Sequence, residues 1–339
     1  MSFVGCDMAV DLGTANTRVY LRGQGIVLDE PSVVAINTHN GAATAIGSEA
    51  KKVIGREPGN TVAVRPLRNG VIADFEITQR LIRYFTLKVH RRRWAARPRI
   101  VVSVPSGITG VERRAVIEAC AQAGARHVHV LDQPMAAALG SGLPVHEAAG
   151  SMVVSIGGGI TEVAVISLGE IVTAQSTRVA GDVLDDAIVQ HVKKEYSLLL
   201  GERTAEHIKI TIGSACQPEL NERIEIRGRD LVSGLPREVV IPATEIRTAM
   251  EGPVNAIVGA VKSTLGECPP ELSGDIIARG IVLTGGGALL HGLDTRLRNE
   301  TGIPIHIADR PLDSVALGAG KCVEDFQALQ PVLRTRPRR

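Results

Sequence analysis

Short apolar runs alternate along the chain with longer runs whose apolar residues recur three and four apart, the signature of an α/β fold. "MAVDLGTANTRVYL", residues 8–21, predicts strand, turn and strand. "RIVVSVPS" at 99–106 predicts a short buried strand, and the helix in "GVERRAVIEACAQAGA" should end at Gly124. "HVHVLDQPMAAALGSG" predicts a strand and then a helix of small residues, with His127 and His129 on one solvated face. "SMVVSIGGGITEVAVIS", 151–167, reads as two apolar strands around three consecutive glycines. Beyond it, "AGDVLDDAIVQHVKKEYSLLL" is an amphipathic helix with Asp182 as N-cap, and "TAEHIKITIGSA" is a second helix. "ERIEIRGRDLVSGLPREVVIP" predicts an exposed hairpin and "ATEIRTAMEGPVNAIVGAVKSTLGECP" a long helix. "RGIVLTGGGALLHGLDTRLRNETG" predicts strand, glycine loop and helix.

One internal repeat organises these elements. A shift of 144 residues lays "VDLGTANTRVY" over "VSIGGGITEVA", so that Gly13 meets Gly157, Thr17 meets Thr161 and Asp11 meets Ser155. Each segment would head one half of a duplicated, doubly wound fold.

Composition narrows the reading. At 339 residues the chain has room for two domains, and at 44% hydrophobic it can bury a sizeable core. Aromatics are only 2%, so aliphatic residues and Ala must build that core, and stacking platforms for single-stranded nucleic acid are not expected. A net charge of +2 implies no strongly charged partner. Five scattered cysteines without a CxxC pair fit reduced thiols in a cytosolic protein. The opening residues carry no signal-peptide pattern, and the tail "LRTRPRR" is basic.

The chemistry lies in the glycines. Two glycine hairpins facing each other across a cleft would offer two rows of backbone N–H groups to one polyphosphate, since glycine has no Cβ to block close approach. Thr14 and Asn16 could add side-chain donors, and Asp11 would face Mg²⁺ through water. Taken singly, either hairpin is also just a tight turn. "LTGGGALL" (283–290) could pack a nucleoside on bare backbone or merely connect strand to helix. "GAGKC" is no Walker A loop, because Cys322 stands where the hydroxyl is required. No nucleophile elbow or HExxH occurs.

"DLGTANT", the 155–162 hairpin and "VLTGGGALL" resemble the phosphate 1, phosphate 2 and adenosine motifs of the actin-like ATPase superfamily. "RPLRNGVIADF", "VPSGITGVERRAV" and "GERTAEHIKITIGSA" narrow the resemblance to the MreB/Mbl family of bacterial cell-shape actins, from about residue 7 to about 325. The resemblance implies a duplicated α/β, ribonuclease H-like fold with four subdomains around a nucleotide cleft. Residues 1–33, 72–147 and 313–330 would form subdomain IA, 34–71 IB, 148–183 and 249–312 IIA, and 184–248 IIB, with 331–339 a basic tail.

It further implies ATP and Mg²⁺ in the cleft. Thr14, Ala15, Asn16, Gly157, Gly158 and Gly159 would touch phosphate. Glu206 and Lys209, with His207 and Ile208 between them, would reach ribose and adenine. Gly286, Gly287, Ala288 and Leu289 would line the nucleoside. Read without the family, Glu206 and Lys209 are an ordinary i,i+3 pair. Where the family usually shows "VDIGGGTTE", this chain has "VSIGGGITE". Ser155 removes a carboxylate that would help order metal and water, and Ile160 removes a hydroxyl. Gln133 replaces the family's usual Glu; it could orient a water but not take its proton. Binding should therefore survive better than hydrolysis.

Family membership also implies self-association into head-to-tail filaments on the inner face of the cell membrane, working with the peptidoglycan and elongation machinery. "HRRRWAARPR" (90–99) offers a membrane contact at Arg92, Arg93 and Trp94, or a solvated basic loop. The rival readings are a hydrolysis-deficient scaffold partnering an active paralogue and, from another class, a small-molecule kinase. The kinase would need a catalytic base, and the sequence nominates none.

Overall fold

The computed structural model describes residues 6–91, 97–217 and 222–333. Two five-stranded sheets carry the chain. In the first, the order is Gly25–Pro31, Asn16–Leu21, Met8–Leu12, Arg99–Val104 and His127–Asp132. In the second it is Glu170–Thr177, Thr161–Ser167, Ser151–Ile156, Ile281–Thr284 and Ile305–Ile307. Each sheet starts with two antiparallel pairings and ends with two parallel ones.

The repeat read from the sequence holds at the level of register. Leu12 stands opposite Thr17 and Asp11 opposite Arg18 in one hairpin. Ile156 stands opposite Thr161 and Ser155 opposite Glu162 in the other. The same 144-residue offset carries each pair onto its counterpart.

Both sheets are covered on two faces, which is why their central strands read as nearly unbroken apolar runs. On the outer face of the first, helices Phe75–Val89 and Gly110–Gln122 bring Leu81, Ile82, Phe85, Val116 and Ala119 onto Val10 and Val102. The second helix starts at a capping box in which Thr109 and Glu112 satisfy each other's backbone N–H groups. Helices Gly181–Tyr196 and Ala243–Gly266 do the same for the second sheet through Leu184, Ile188, Ile246 and Met250.

Between the sheets lie helices Gln133–Gly140 and Ser314–Glu324, packed with Ala9, Val101, Val153 and Ala164. A Cβ at Gly140 would run into the Ser314 carbonyl, and one at Gly318 into the Ala136 carbonyl. Small residues here let two helix backbones touch, which accounts for Gly140 and Gly318; Gly320 instead makes room for the Tyr20 ring. Smaller sheets flank the two lobes, one centred on Val34–Asn37 and one on Arg223–Asp230.

Four local expectations need correction. Asp182 is not the N-cap of its helix; Ala180 is, and no side chain caps it. Its first N–H groups are taken instead by the glycine hairpin, Gly181 donating to the Gly157 carbonyl at 3.1 Å and Asp182 to that of Gly158 at 2.7 Å. His129 is half-buried with its ring 4.8 Å from that of Phe326, so the two histidines do not form one solvated face. Two basic residues of the 90–99 stretch are structural. His90 is buried, its ring nitrogens 2.8 Å from the Thr86 carbonyl and 3.0 Å from that of Cys6, while Arg99 lies over the Phe326 ring at 4.0 Å. Val332 and Leu333 pack into the core rather than opening a free tail. Among the described residues no helix is long and apolar enough to cross a membrane.

Candidate functional site

The two glycine hairpins meet at the base of a cleft of about 830 Å³. The contact leaves no room for a side chain at Gly158 or Gly159. A Cβ at Gly158 would lie 2.9 Å from that of Ala15, and one at Gly159 2.6 Å from Thr14 Oγ1 and 2.9 Å from the Asn69 nitrogen. Thr14 is itself fixed, its Oγ1 accepting from the Gly70 N–H at 3.0 Å. The Gly157 N–H closes its own turn on the Ile160 carbonyl at 2.9 Å. Gly13, Thr14, Ala15, Asn16, Gly157, Gly158, Gly159 and Ile160 all line the cleft. Asn16 does so with its amide donating to Asp29 at 2.8 Å.

Asp11, Gln133, Ser155 and Glu162 line the cleft as well. Asp11 accepts from Ser103 Oγ at 3.0 Å. Burial pushes its carboxyl up to about 6, although nearby Arg18 pulls the other way. A carboxylate so poorly compensated suits a neighbouring cation. No group of three or more acidic, His or Cys ligands occurs among the described residues. Asp11 is the side chain that would stand behind such a cation.

Glu162 is the residue the sequence reading missed. It is 1% exposed, and its Oε1 receives the Ser106 N–H at 2.7 Å, Ser106 Oγ at 2.7 Å and Ser176 Oγ at 3.1 Å. Its Oε2 is buried with no hydrogen-bond partner. Burial drives the carboxyl up to about 7 against these donors. The one signal in the sequence was a single carboxylate inside an otherwise uncharged strand, "TEVAVIS".

Glu206, Lys209, Gly286, Gly287 and Leu289 also line the cleft. Glu206 and Lys209 share this face because they lie one helical turn apart in Glu202–Ile212. The residues between them rotate away: His207 is exposed and Ile208 is in the core, both outside the cleft walls. Ala288 is likewise buried beneath the Gly286–Leu289 turn instead of lining the pocket. Lys209 spends its ammonium on Asp185 at 2.9 Å and on the Gly181 carbonyl at 3.0 Å. Glu206 pairs at 3.3 Å with Lys51 from the opposite lobe. Lys51, Ser214 and His291 also line the cleft and carried no sequence signal. Arg92, Arg93 and Trp94 lie outside the described residues.

Two repeats of one sheet plan, each offering a glycine hairpin to a shared cleft, define an actin-like fold. MreB5 of Spiroplasma citri, solved bound to ADP, superposes with a TM-score of 0.91 at 35% identity, covering 98% of this chain and 99% of that one. The MamK double helical filament, at 19% identity and a TM-score of 0.80, shares the fold. Residues 5–331 match the MreB/Mbl protein family. The chain is 51% identical over 323 residues to the cell shape-determining protein MreB of Escherichia coli (strain K12), covering 94% of this chain and 93% of that one. It is 46% identical over 323 residues to the cell shape-determining protein Mbl of Bacillus subtilis (strain 168), with 95% and 97% covered. The chain belongs to the MreB/Mbl family.

Proposed function

We propose that this protein is a bacterial actin that binds ATP with Mg²⁺, hydrolyses it slowly, and assembles head to tail into filaments on the inner face of the cell membrane that guide peptidoglycan synthesis and cell shape. The observation that carries the nucleotide reading is the tip-to-tip contact of the hairpins at Thr14–Gly159 and Ala15–Gly158, in a cleft that a third glycine turn also lines. MreB5 of Spiroplasma citri, solved both with ADP and with AMPPNP, supports it.

In this reading Thr14, Ala15, Asn16 and Gly157–Gly159 hold phosphate, Asp11 faces the metal, and Glu206 with the Gly286–Leu289 turn holds the nucleoside. Gln133 orients the attacking water. Mg²⁺, when bound, neutralises phosphate charge. Ser155 and Ile160 leave the phosphate 2 hairpin short of a carboxylate and a hydroxyl, and loss of one outer-shell metal partner costs about 10- to 100-fold in affinity or activity. The subdomain limits given above are retained as part of the proposal, with the tail restricted to 334–339. Filament growth follows from heterologous contacts that do not close, and the membrane contact is assigned to Arg92, Arg93 and Trp94. The relatives' part in cell shape supports the cellular role.

Calorimetric titration with ATP·Mg²⁺, followed by electron microscopy of the nucleotide-loaded protein, tests the proposal. Heat of binding and filaments are expected. Phosphate release should be slow and should accelerate in a Ser155→Asp, Ile160→Thr double variant; fast release by the unmodified chain would overturn the slow-hydrolysis reading.

A further inference from the structure

We propose that Glu162 is the base of this cleft, accepting through Oε2 the proton of the water that attacks the terminal phosphate. The inference rests on the nucleotide reading above and supplies the group it lacks.

The position comes from strand register. Ser155 and Glu162 are directly opposed on antiparallel strands. Opposed residues project from the same face of a sheet with Cβ atoms about 4.5–5.5 Å apart. A carboxylate therefore stands beside the site where Ser155 offers only a hydroxyl, one strand further over. In the first half the same two positions are Asp11 and Arg18, so the repeat puts a carboxylate in each half but on different strands.

The orientation comes from hydrogen bonding. Three donors converge on Oε1, two from Ser106 in the first half and one from Ser176 in the second, which fixes the head group and leaves Oε2 free. Burial puts the carboxyl at about 7, close to where a general base works best at neutral pH. Asp132, itself paired with Arg113 at 3.3 Å, adds a like-charge repulsion that also raises it.

Three other cleft groups are already engaged or are not basic. Asp11 is bonded to Ser103 and faces the metal, Asp185 is held by Lys209, and Gln133 has no basic group. In the step, the water oxygen bonds to the terminal phosphorus and its proton passes to Glu162. The bond to the bridging oxygen breaks with its electron pair leaving on ADP. Glu162 then returns the proton to solvent as inorganic phosphate departs.

The test is single-turnover phosphate release from saturating ATP·Mg²⁺, with the nucleotide Kd measured calorimetrically on the same full-length proteins. Glu162→Gln keeps shape and hydrogen bonding, and should slow release about 100-fold with Kd changed by less than about twofold. Glu162→Asp keeps the charge but withdraws it by one methylene, and should fall between. Release from either variant equal to that of the unmodified chain, whether all are fast or all are nil, overturns the assignment. Absence of binding heat in the unmodified chain would instead remove the nucleotide reading itself.

Discussion

Adding one methyl group at Gly159 tests whether the two hairpins must touch. The residue does not adopt a left-handed conformation, so alanine brings steric bulk without backbone strain. Its Cβ would lie 2.6 Å from Thr14 Oγ1, 2.9 Å from Thr14 Cγ2 and 2.9 Å from the Asn69 nitrogen. Thr14 cannot simply rotate aside, because its hydroxyl accepts the Gly70 N–H. The nitrogen is backbone and cannot yield alone. The relief open to the structure is for the hairpins to separate, and overpacking of this kind costs about 1–3 kcal/mol. If the strain is felt chiefly in the closed cradle, ATP·Mg²⁺ affinity should fall about 5- to 150-fold. Calorimetric titration reads the affinity, and a thermal melt reads the fold. Gly259→Ala is the control: it sits exposed in the long helix with open space around its Cβ, should leave affinity unchanged, and should stabilise by about 0.5–1 kcal/mol. Gly159→Ala binding within twofold of the unmodified protein would refute the reasoning.

Two further outcomes follow from the electrostatics. Glu162 has its carboxyl raised from 4.5 to about 7, so folded and unfolded chains hold its proton alike below about pH 4.5. The cost of keeping it charged and buried then grows as pH rises and is complete above about pH 7, where it amounts to about 3 kcal/mol. Glu162→Gln lacks this cost, so urea unfolding should show the variant gaining on the unmodified protein between pH 5 and pH 8; a difference independent of pH would contradict the assignment. Beside the cleft residue Asp182, Arg65 crosses between the lobes, reaching Glu202 at 3.1 Å and Asp182 at 3.8 Å. These pairs are part-exposed and contribute about 1 kcal/mol or less each. Arg65→Glu should speed release of a fluorescent nucleotide about three- to tenfold, and adding Glu202→Arg should slow it again; a release rate indifferent to both changes would argue against a cross-cleft tie.

The sequence by itself determined the strands, the long helices, the repeat and the glycine hairpins. These are written in local spacing: period-two and period-3.6 burial, and glycines wherever backbone must approach backbone. That was enough to find Asp11, the glycine hairpins, Gln133, Glu206 and Lys209, all of which line the cleft. Only the tertiary structure decided what surrounds each group. Ile208 and Ala288 turned inward because helix and turn phase, fixed by packing, set which side faces the cleft. Asp182 proved unnecessary as a cap once the hairpin carbonyls arrived from 24 residues earlier to take the helix N–H groups. Glu162 looked like one polar residue in a strand; burial and the Ser106 donors, 56 residues away, made it an oriented carboxylate with one unbonded oxygen. Desolvation and hydrogen bonding depend on neighbours distant along the chain, and no local pattern encodes them.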